Sequence, residues 1–468
     1  MENQINTEPQ TEELSTGTAI AYSFANFTDI TTSQFFSFLL FTFYFAVMGV
    51  HIFWINITLI LWSIWNAVND PLMGAISDRT NTKYGKRRPW IILGLIPMLI
   101  LLVLLWTPPE GSDIVVFTYM LICLLLMDTF YTMYSLNQVS LFPEMYQDLE
   151  KRAKANNIVQ AIGIIALLFA FIMPSVFIPD YADPQYKINY LYAGLFMAGV
   201  SAVAGTIFIK FGLKEREEFK EDSKNAPSLL ESLKISITNK SFRTYVIANL
   251  CIFYVFGMLT ALAPIFAKIV LGVEQSFLVS ALLGLAFLCA AGFMVIWNKL
   301  SVKVGVKRGQ IISMVTFIAV LIPIFFVSEL IGGIIVFILA GLGLSGALFF
   351  RAVTMGAIID EDELKTGIRR EGGYFGINAL FIRLSTIAVS ITTTLVLILV
   401  DWETYDPNAV TPSVIFGLRS LMVLFPIGAL VIGIYSMSRF PITKEKYFEI
   451  KDKIETLHQE KMSKKHST

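Results

Sequence analysis

Residues 69–94 read NDPLMGAISDRTNTKYGKRRPWIILG and join two apolar segments through a short, strongly basic loop. Asp70 and Pro71 interrupt the end of the first apolar segment. The loop that follows carries five cations, Arg79, Lys83, Lys86, Arg87 and Arg88. Lys and Arg accumulate in loops that stay on the cytosolic side of a membrane. The stretch therefore predicts two membrane-spanning helices joined by a cytosolic turn.

The same design recurs along the whole chain of 468 residues. A helix needs about 20 mainly apolar residues to cross a bilayer. About twelve segments approach or exceed that length, at residues 20–49, 53–76, 90–106, 114–139, 157–178, 190–212, 243–270, 277–299, 310–327, 331–357, 373–400 and 414–437. Cations also follow the fourth, eighth and tenth segments, whereas the alternate loops hold almost none. We therefore predict an all-α integral protein of the cell membrane with both termini in the cytosol.

The composition excludes several classes of function. Charged residues make up only 15% of the chain, whereas soluble domains carry about 25%. Lys and Arg together number 36, as do Asp and Glu, so no basic excess indicates a nucleic-acid partner. The three cysteines lie in apolar segments, and no His/Cys cluster predicts a zinc or other metal site. Neither a nucleotide-binding fingerprint nor a nucleophile–base pair is visible, so we predict no cofactor and no enzymatic activity.

A charged stretch beginning KEREEFKEDSK at residue 214 divides the chain into two halves of six segments. We predict an N-terminal tail at 1–19, a first bundle at 20–212, a central loop at 213–240, a second bundle at 241–437 and a C-terminal tail at 438–468. The first tail lacks the basic flank of a signal peptide. The halves echo each other, because NKLSVKVGVKRG (298–309) also places glycine before cations. Two parallel repeats joined by a cytosolic loop indicate the major facilitator fold.

Residues 69–94, together with DEDELKTGIRREGGYFGIN at 360–378, make the chain similar to a known family. The chain resembles the glycoside–pentoside–hexuronide:cation symporters, the melibiose permease-like branch of the major facilitator superfamily. The resemblance implies alternating-access transport of a sugar, glycoside or uronide, coupled to H⁺ or Na⁺. It also implies a carrier that works in the lipid bilayer as a monomer, with no cofactor beyond the coupling ion.

The resemblance places a coupling cation at Asp70 and Asn66, which lie four residues apart on one helix face. Both matching positions are carboxylates in melibiose permease, so the amide at Asn66 weakens the case for sodium. A single buried carboxylate can instead carry a proton. The alternative is that Asp70 only pairs with an arginine and holds two helices together.

Charges inside a membrane are functional candidates because they are expensive to bury. The apolar segments hold three carboxylates and three arginines, Asp29, Asp70, Asp128, Arg351, Arg383 and Arg419, and equal numbers indicate mutual pairing. We favour structural roles for Arg351 and Arg419. Arg383 falls where the family has a functional lysine in the central cavity, and its fork suits either Asp70 or an acidic sugar.

The predicted substrate site consists of Asp29, Asp128, Ser135, Asn137, Tyr374, Asn378 and Arg383. The family's sugar-binding carboxylates match Ile30 and Ser135, so this part of the resemblance is incomplete. Asp29 adjoins the first of these positions, and Asp128 lies two turns from the second. Tyr134, Tyr374 and Phe375 are candidate platforms for a sugar ring, although each is also a candidate for packing.

The predicted gate consists of Gly74, Asp78, Arg79, Gly85, Arg87 and Arg88 in the first half and of Asp360, Arg369 and Arg370 in the second. We expect Asp78 to cap a helix or to pair with an arginine of the neighbouring bundle, and we expect such pairs to break on rocking. The alternative is that the cations only anchor the loop to anionic lipid.

Two further readings of function remain open. Part of the broader group carries lysophospholipids, so an amphiphile carrier is one alternative, and an uncoupled sugar facilitator is another. The polar side chains Asn66, Asn69, Asn137, Gln138 and Asn378 favour a sugar, because sugar hydroxyls need hydrogen-bond partners when they lose water. A non-transporting sensor or scaffold is disfavoured because both gate loops are intact.

Overall fold

The computed structural model of the protein describes residues 16–80, 82–146, 149–215, 236–367 and 370–466. The first half contains the helices α1 (Thr16–Thr42), α2 (Ile52–Arg79), α3 (Arg88–Leu104), α4 (Asp113–Met145), α5 (Leu149–Ile172) and α6 (Lys187–Ile207). A π-helical turn extends α1 through Phe43–Val47 and another extends α6 through Phe208–Gly212.

The second half contains α7 (Lys240–Val270), α8 (Ser276–Leu321), α9 (Leu330–Thr366), α10 (Glu371–Leu399), α11 (Pro412–Arg419) and α12 (Phe425–Ser438), and α13 (Lys444–His466) follows it. Asn239 begins α7 by accepting a hydrogen bond from the backbone of Ser241, as an N-cap residue does. Gly367 adopts a left-handed φ of 74° directly after α9 and so ends that helix.

The described helices supply the predicted twelve crossings. Ten are long and apolar enough to span a membrane, and α3 is a shorter apolar helix. The α8 unit contains 46 residues, which would extend about 69 Å if it were one straight helix. It therefore accounts for two crossings, and α11 and α12 together make one, at Pro412–Ser438.

The structure corrects the loop predicted between the eighth and ninth segments. Residues 298–309 are helical except at Gly305, which has φ 76° and ψ 172°. A side chain at Gly305 would lie 2.9 Å from the Cα of Lys444, so the bend also needs a residue without a Cβ. One glycine therefore redirects the chain where the sequence predicts a loop of several residues.

The predicted C-terminal tail contains a packed helix. Ile450 and Ile454 of α13 are buried, and Lys446 reaches the carboxylate of Glu361 on α9 at 2.5 Å. Glu361 also accepts a hydrogen bond from Ser241 at the start of α7. The helix α13 therefore packs on the second half instead of lying free in solvent.

The two halves meet closely at one end of the bundle. We call the end where α1 begins and α12 ends the termini side, and the opposite end the far side. On the far side, Lys268 pairs with Asp180 at 2.7 Å and His51 contacts Glu403 at 3.2 Å. The hydrogen bonds that join the halves between described residues lie at the membrane centre or on the far side. The far side is therefore closed in this conformation.

Candidate transport site

A buried carboxylate on α4 is the centre of a polar network with α2. The Oδ1 atom of Asp128 accepts a hydrogen bond from Trp62 Nε1 at 3.0 Å and a short one from Asn66 Nδ2. Its Oδ2 atom accepts from Asn69 Nδ2 at 3.1 Å. The three donors follow one another at spacings of four and three residues, which places them on one face of α2. The sequence of α2 therefore directs a row of donors at Asp128.

Asp70 extends this network to the second half of the protein. Its Oδ1 atom accepts a hydrogen bond from Thr132 Oγ1 at 2.9 Å, and Thr132 lies one turn after Asp128 on α4. Its Oδ2 atom faces Arg383 Nη2 of α10 at 3.4 Å. Both partners of this ion pair are about 30% exposed, at 30% for Asp70 and 31% for Arg383. The contact is long and single, so Arg383 keeps donors for another acceptor.

The network is deficient in positive charge. Among the described residues it contains two carboxylates, Asp70 and Asp128, but one guanidinium, Arg383. Asp70 and Arg383 both lie close enough to act electrostatically on Asp128. The Oδ1 atom of Asn66 is buried without a hydrogen-bond partner. An excess carboxylate and an unpartnered oxygen inside a membrane favour the binding of a proton or a small cation.

The structure thus brings together three predicted residues whose roles the sequence separated. Asp70 and Asn66 come from the predicted cation site, and Asp128 from the predicted substrate site. Trp62, Asn69 and Thr132 were missed as site residues, although their spacing carried a signal. Trp62, Asn66 and Asn69 precede Asp70 at spacings of four and three residues, which is one face of a helix. Thr132 likewise follows Asp128 by four residues.

A cavity of about 250 Å³ lies between the two halves beside this network. Arg383 is the charged side chain in its wall, and Trp62 lines it while donating to Asp128. Further polar side chains in the wall are Gln34, Ser37, Asn56, Thr260, Ser385, Thr386, Ser390 and Thr393. Aromatic rings in the wall are Phe36, Phe38, Phe41, Phe171, Phe253 and Phe256. Rings beside hydroxyl and amide groups match the two faces of a sugar.

Three predicted substrate residues lie elsewhere. Asn137 is fully buried, and its Nδ2 atom donates a hydrogen bond to the backbone oxygen of Met133 on the same helix at 2.8 Å. Asn378 is buried and accepts from Asn249 at 2.8 Å, within the second half. Tyr374 is 1% exposed, and its hydroxyl accepts from Asn239 at 2.9 Å. None of the three lines the cavity, and each donates to or accepts from a neighbour inside one half, so their role as substrate contacts stays a prediction.

The candidate ring platforms also lie outside the cavity wall. Tyr134 is fully buried in the first half, and its hydroxyl contacts the carbonyl oxygen of Ala25 at 3.4 Å. Gln138 accepts a hydrogen bond from Tyr22 in the same half. Phe375 is 49% exposed, but it is not part of the cavity wall. The rings that do line the cavity come mainly from α1 and α7.

The predicted neighbours Asp29 and Ser135 do meet. The side chains of Ser135 and Tyr131 on α4 lie close to the carboxylate of Asp29 on α1. Its Oδ1 atom is buried and has no hydrogen-bond partner. Ser135 lies seven residues after Asp128, which is about 10 Å nearer the termini side. Asp29 therefore belongs to a second polar centre, separate from the Asp128 network and from the cavity wall.

The first gate loop is held together from within. Asp78 pairs with Lys86 at 3.2 Å and with Arg87 at 3.5 Å. These cations belong to its own loop, and the expected helix cap or pair with an arginine of the neighbouring bundle stays a prediction. Arg87 also pairs with Glu144 at the end of α4 at 2.7 Å. The Cβ position of Gly74 meets only one leucine methyl, at 3.9 Å, so Gly74 is not needed for close approach.

Gly85 admits a carboxylate to the start of α3. It has φ 106°, and a Cβ there would overlap the side chain of Glu215. Glu215 accepts hydrogen bonds from the backbone nitrogens of Lys86, Arg87 and Arg88, at 2.5, 2.8 and 3.3 Å. The N-terminus of a helix favours such an anion. Glu215, which lies three residues beyond the π-helical turn that extends α6, is thereby tied to the loop that follows Arg79 at the end of α2.

The second gate region is partly described. Arg370 forms a two-pronged ion pair with Asp362, at 2.8 and 2.9 Å, and Asp362 was not predicted. Asp360 lies two residues earlier at the end of α9. Arg369, which was also predicted, lies outside the described residues. The pair between Arg370 and Asp362 stays within the second half.

The remaining two arginines inside the helices do not pair with carboxylates of the described chain. Arg419 donates to the carbonyl oxygen of Val327 at 3.2 Å and to Ser328 at 2.7 Å, which fits its predicted structural role. Arg351 lies over the ring of Phe253 at 5.2 Å. The expectation of three mutual pairs therefore holds only for Asp70 with Arg383.

Comparison with known proteins shows which family the chain belongs to. The sequence profile of the family described as "MFS/sugar transport protein" matches residues 20–444. The "Glucuronide carrier protein homolog" of Escherichia coli is 23% identical over 446 residues, covering 94% of this chain and 95% of that protein. The "Sodium-dependent lysophosphatidylcholine symporter 1" of Gallus gallus is 22% identical, covering 89% of this chain and 84% of that protein.

Solved structures share the fold. The nucleoside transporter NupG superposes with a TM-score of 0.65 at 14% identity, covering 91% of this chain and 99% of that one. A D-xylose–proton symporter superposes with a TM-score of 0.63 at 12% identity, covering 92% and 98%. The predicted fold, the resemblance to sugar symporters and the prediction of a non-enzyme are confirmed. The chain is a multi-pass secondary transporter that belongs to the MFS/sugar transport protein family.

Proposed function

We propose that this protein couples the uptake of a small sugar or sugar acid to the entry of one H⁺ or Na⁺. The observation that carries the proposal is the position of Arg383. It contacts Asp70 of the charge-deficient network at 3.4 Å and also lines the cavity between the halves. One side chain therefore links the group that binds the cation to the space that holds the solute.

The coupling follows from charge. Asp70, Asp128 and Arg383 together carry one net negative charge when both carboxylates are ionised, and charge inside the membrane is expensive. One H⁺ or Na⁺ at the two carboxylates neutralises the site and weakens the hold of Asp70 on Arg383. Arg383 can then bind an acceptor on the solute. Melibiose permease has a second carboxylate at the position of Asn66. In this protein Asp128 supplies that second carboxylate from the neighbouring helix.

The cavity supports a small polar substrate. Its volume of about 250 Å³ lies below the roughly 300–1,000 Å³ of most drug-sized ligand pockets. A sugar carboxylate would match the fork of Arg383, and one relative is named a glucuronide carrier protein homolog. A lysophospholipid-like amphiphile is the second candidate, because another relative is named for it. The eight hydroxyl and amide side chains in the wall favour the sugar.

We infer that the protein lies in the cell membrane with both termini in the cytosol and that it works as a monomer. The cations at Arg79, Lys83, Lys86, Arg87 and Arg88 support this orientation. The closed far side is then the outward face of the protein. The loop around Asp78 and Gly85 serves as the cytosolic gate of the first half, and Asp360, Arg369 and Arg370 serve that of the second.

Uptake into proteoliposomes tests the proposal. Labelled glucuronate, neutral monosaccharides and a lysophospholipid would be offered under a proton gradient, a sodium gradient or no gradient. We expect one gradient to drive accumulation of a sugar, and Asp70→Asn to abolish accumulation while exchange without a gradient survives. Glu110→Gln is the matched control, because it removes a carboxylate that is 93% exposed on the far side.

Two outcomes would contradict the proposal. Uptake that only equilibrates, and that ignores both the gradient and Asp70→Asn, would leave an uncoupled facilitator. Movement of the lysophospholipid alone would establish the amphiphile carrier instead.

A further inference from the structure

Two charges inside the helices are not used by the transport site. Asp29 lies beside the hydroxyl groups of Tyr131 and Ser135, and its Oδ1 atom has no hydrogen-bond partner. Arg351 lies over the ring of Phe253. Neither forms an ion pair with any residue in the described part of the chain. An intramembrane charge without an opposite charge is costly wherever water is excluded.

The two charges lie at equivalent helix–helix contacts of the two halves, α1 with α4 in the first and α7 with α9 in the second. Asp29 lies thirteen residues after the start of α1, and Phe253 lies thirteen residues after the start of α7. Both positions are about 20 Å from the termini-side end of their helix. Asp29 contacts α4 at Tyr131, and Phe253 contacts α9 at Arg351. Tyr131 and Arg351 themselves precede the ends of α4 and α9 by fourteen and fifteen residues.

The second half therefore carries a cation where the first half carries an anion. Neither charge lines the cavity, but each is linked by helix spacing or by contact to a residue that does. Phe36 lies two turns beyond Asp29 on the same face of α1 and lines the cavity. Phe253 lines it too, as the α7 residue nearest the termini side. Asp29 and Arg351 are both partly exposed in this conformation, in which the far side is closed.

We propose that Asp29 and Arg351 form an ion pair across the two halves when the termini side closes. This inference rests on the alternating access of the proposed function. Closure removes water from both charges at once, and pairing removes the cost of leaving them single. The far-side pair of Lys268 with Asp180 separates in the same movement. The far side and the interior of the path then each have one ion pair between the halves, and the two pairs form in turn.

Crosslinking tests the proposal without any substrate. Asp29→Cys and Arg351→Cys would be combined after Cys123, Cys251 and Cys289 are replaced by alanine, and a short bifunctional thiol reagent would be added. We expect little crosslinking at first and several-fold more when Lys268→Gln removes the far-side pair. Asp29→Cys with Ser135→Cys is the control, because those residues meet within one half and should crosslink equally in both backgrounds.

Charge exchange supplies the second test. Arg351→Gln should slow gradient-free exchange by about tenfold or more, and the double variant Asp29→Arg/Arg351→Asp should recover part of it. A crosslink that never responds to Lys268→Gln, or a swap no faster than Arg351→Gln alone, would overturn the ion pair. If the unmodified protein transports no sugar at all, that result would count against the proposed function. The crosslinking experiment needs no substrate, so it would still test the ion pair.

Discussion

Two groups of buried polar side chains lie in the helices, and they differ in what they contact. Asp128 and Asn66 meet between α2 and α4, beside an ion pair that joins the two halves. Asn249 and Asn378 meet between α7 and α10, inside one half and away from the cavity wall. Each group leaves one buried amide oxygen without a hydrogen-bond partner, but only the first includes charges and adjoins the space between the halves. Polarity alone therefore does not identify a transport residue, whereas an excess charge at the interface of the halves does.

Removing the excess charge should have the largest effect. In Asp128→Asn the network keeps its approximate shape but loses the negative charge that attracts the coupling ion. We expect gradient-driven accumulation to fall by about 100-fold or more, equivalent to roughly 2.7 kcal/mol. Uptake under the driving gradient, compared with exchange in its absence, measures the effect. Glu110→Gln again provides the control, and normal accumulation by Asp128→Asn would exclude Asp128 from the coupling site.

The sequence predicts much of the fold because a membrane imposes strong constraints. The lengths of the apolar segments predict the membrane crossings, and the positions of Lys and Arg predict which loops lie on the cytosolic side. Both follow from the cost of placing polar groups in lipid. The break at Gly305 could not be predicted, because NKLSVKVGVKRG has the composition of a loop and only its contact with Lys444 makes one glycine sufficient. The packing of α13 depends likewise on a distant partner, Glu361.

The site was predicted less completely, and for a physical reason. A helix surrounded by other helices and by lipid is apolar all round, so its sequence does not indicate which side faces the cavity. Asp70 and Arg383 were found because a charge stands out in any apolar segment. Asn378 and Tyr374 were predicted at the site but contact neighbouring helices, since a neutral polar residue can equally face the cavity or a helix. The role of Asp128 could not be predicted, because it depends on which face of α4 packs against α2, and only the structure shows that orientation.

Changing the shape of the cation, but not its charge, should have an intermediate effect. Arg383→Lys keeps a positive charge beside Asp70 but loses the planar fork. We expect uptake of a sugar acid to fall by about tenfold, equivalent to roughly 1.4 kcal/mol, and uptake of a neutral sugar to fall less. Initial rates for a matched acidic and neutral sugar pair measure the difference. Equal losses for both sugars would show that Arg383 serves Asp70 alone.

Removing a packed amide should have the smallest effect on transport. Asn378→Ala leaves the Nδ2 donor of Asn249 without its partner at 2.8 Å, which should destabilise the fold by about 1–3 kcal/mol. The thermal unfolding temperature in detergent should therefore fall, while the transport rate per folded molecule stays within about twofold, because the substitution adds no charge at the interface of the halves. The double variant Asn249→Leu/Asn378→Leu removes both polar groups and should recover part of the stability. A large loss of transport with unchanged stability would place Asn378 in the transport site and erase the distinction between the two groups.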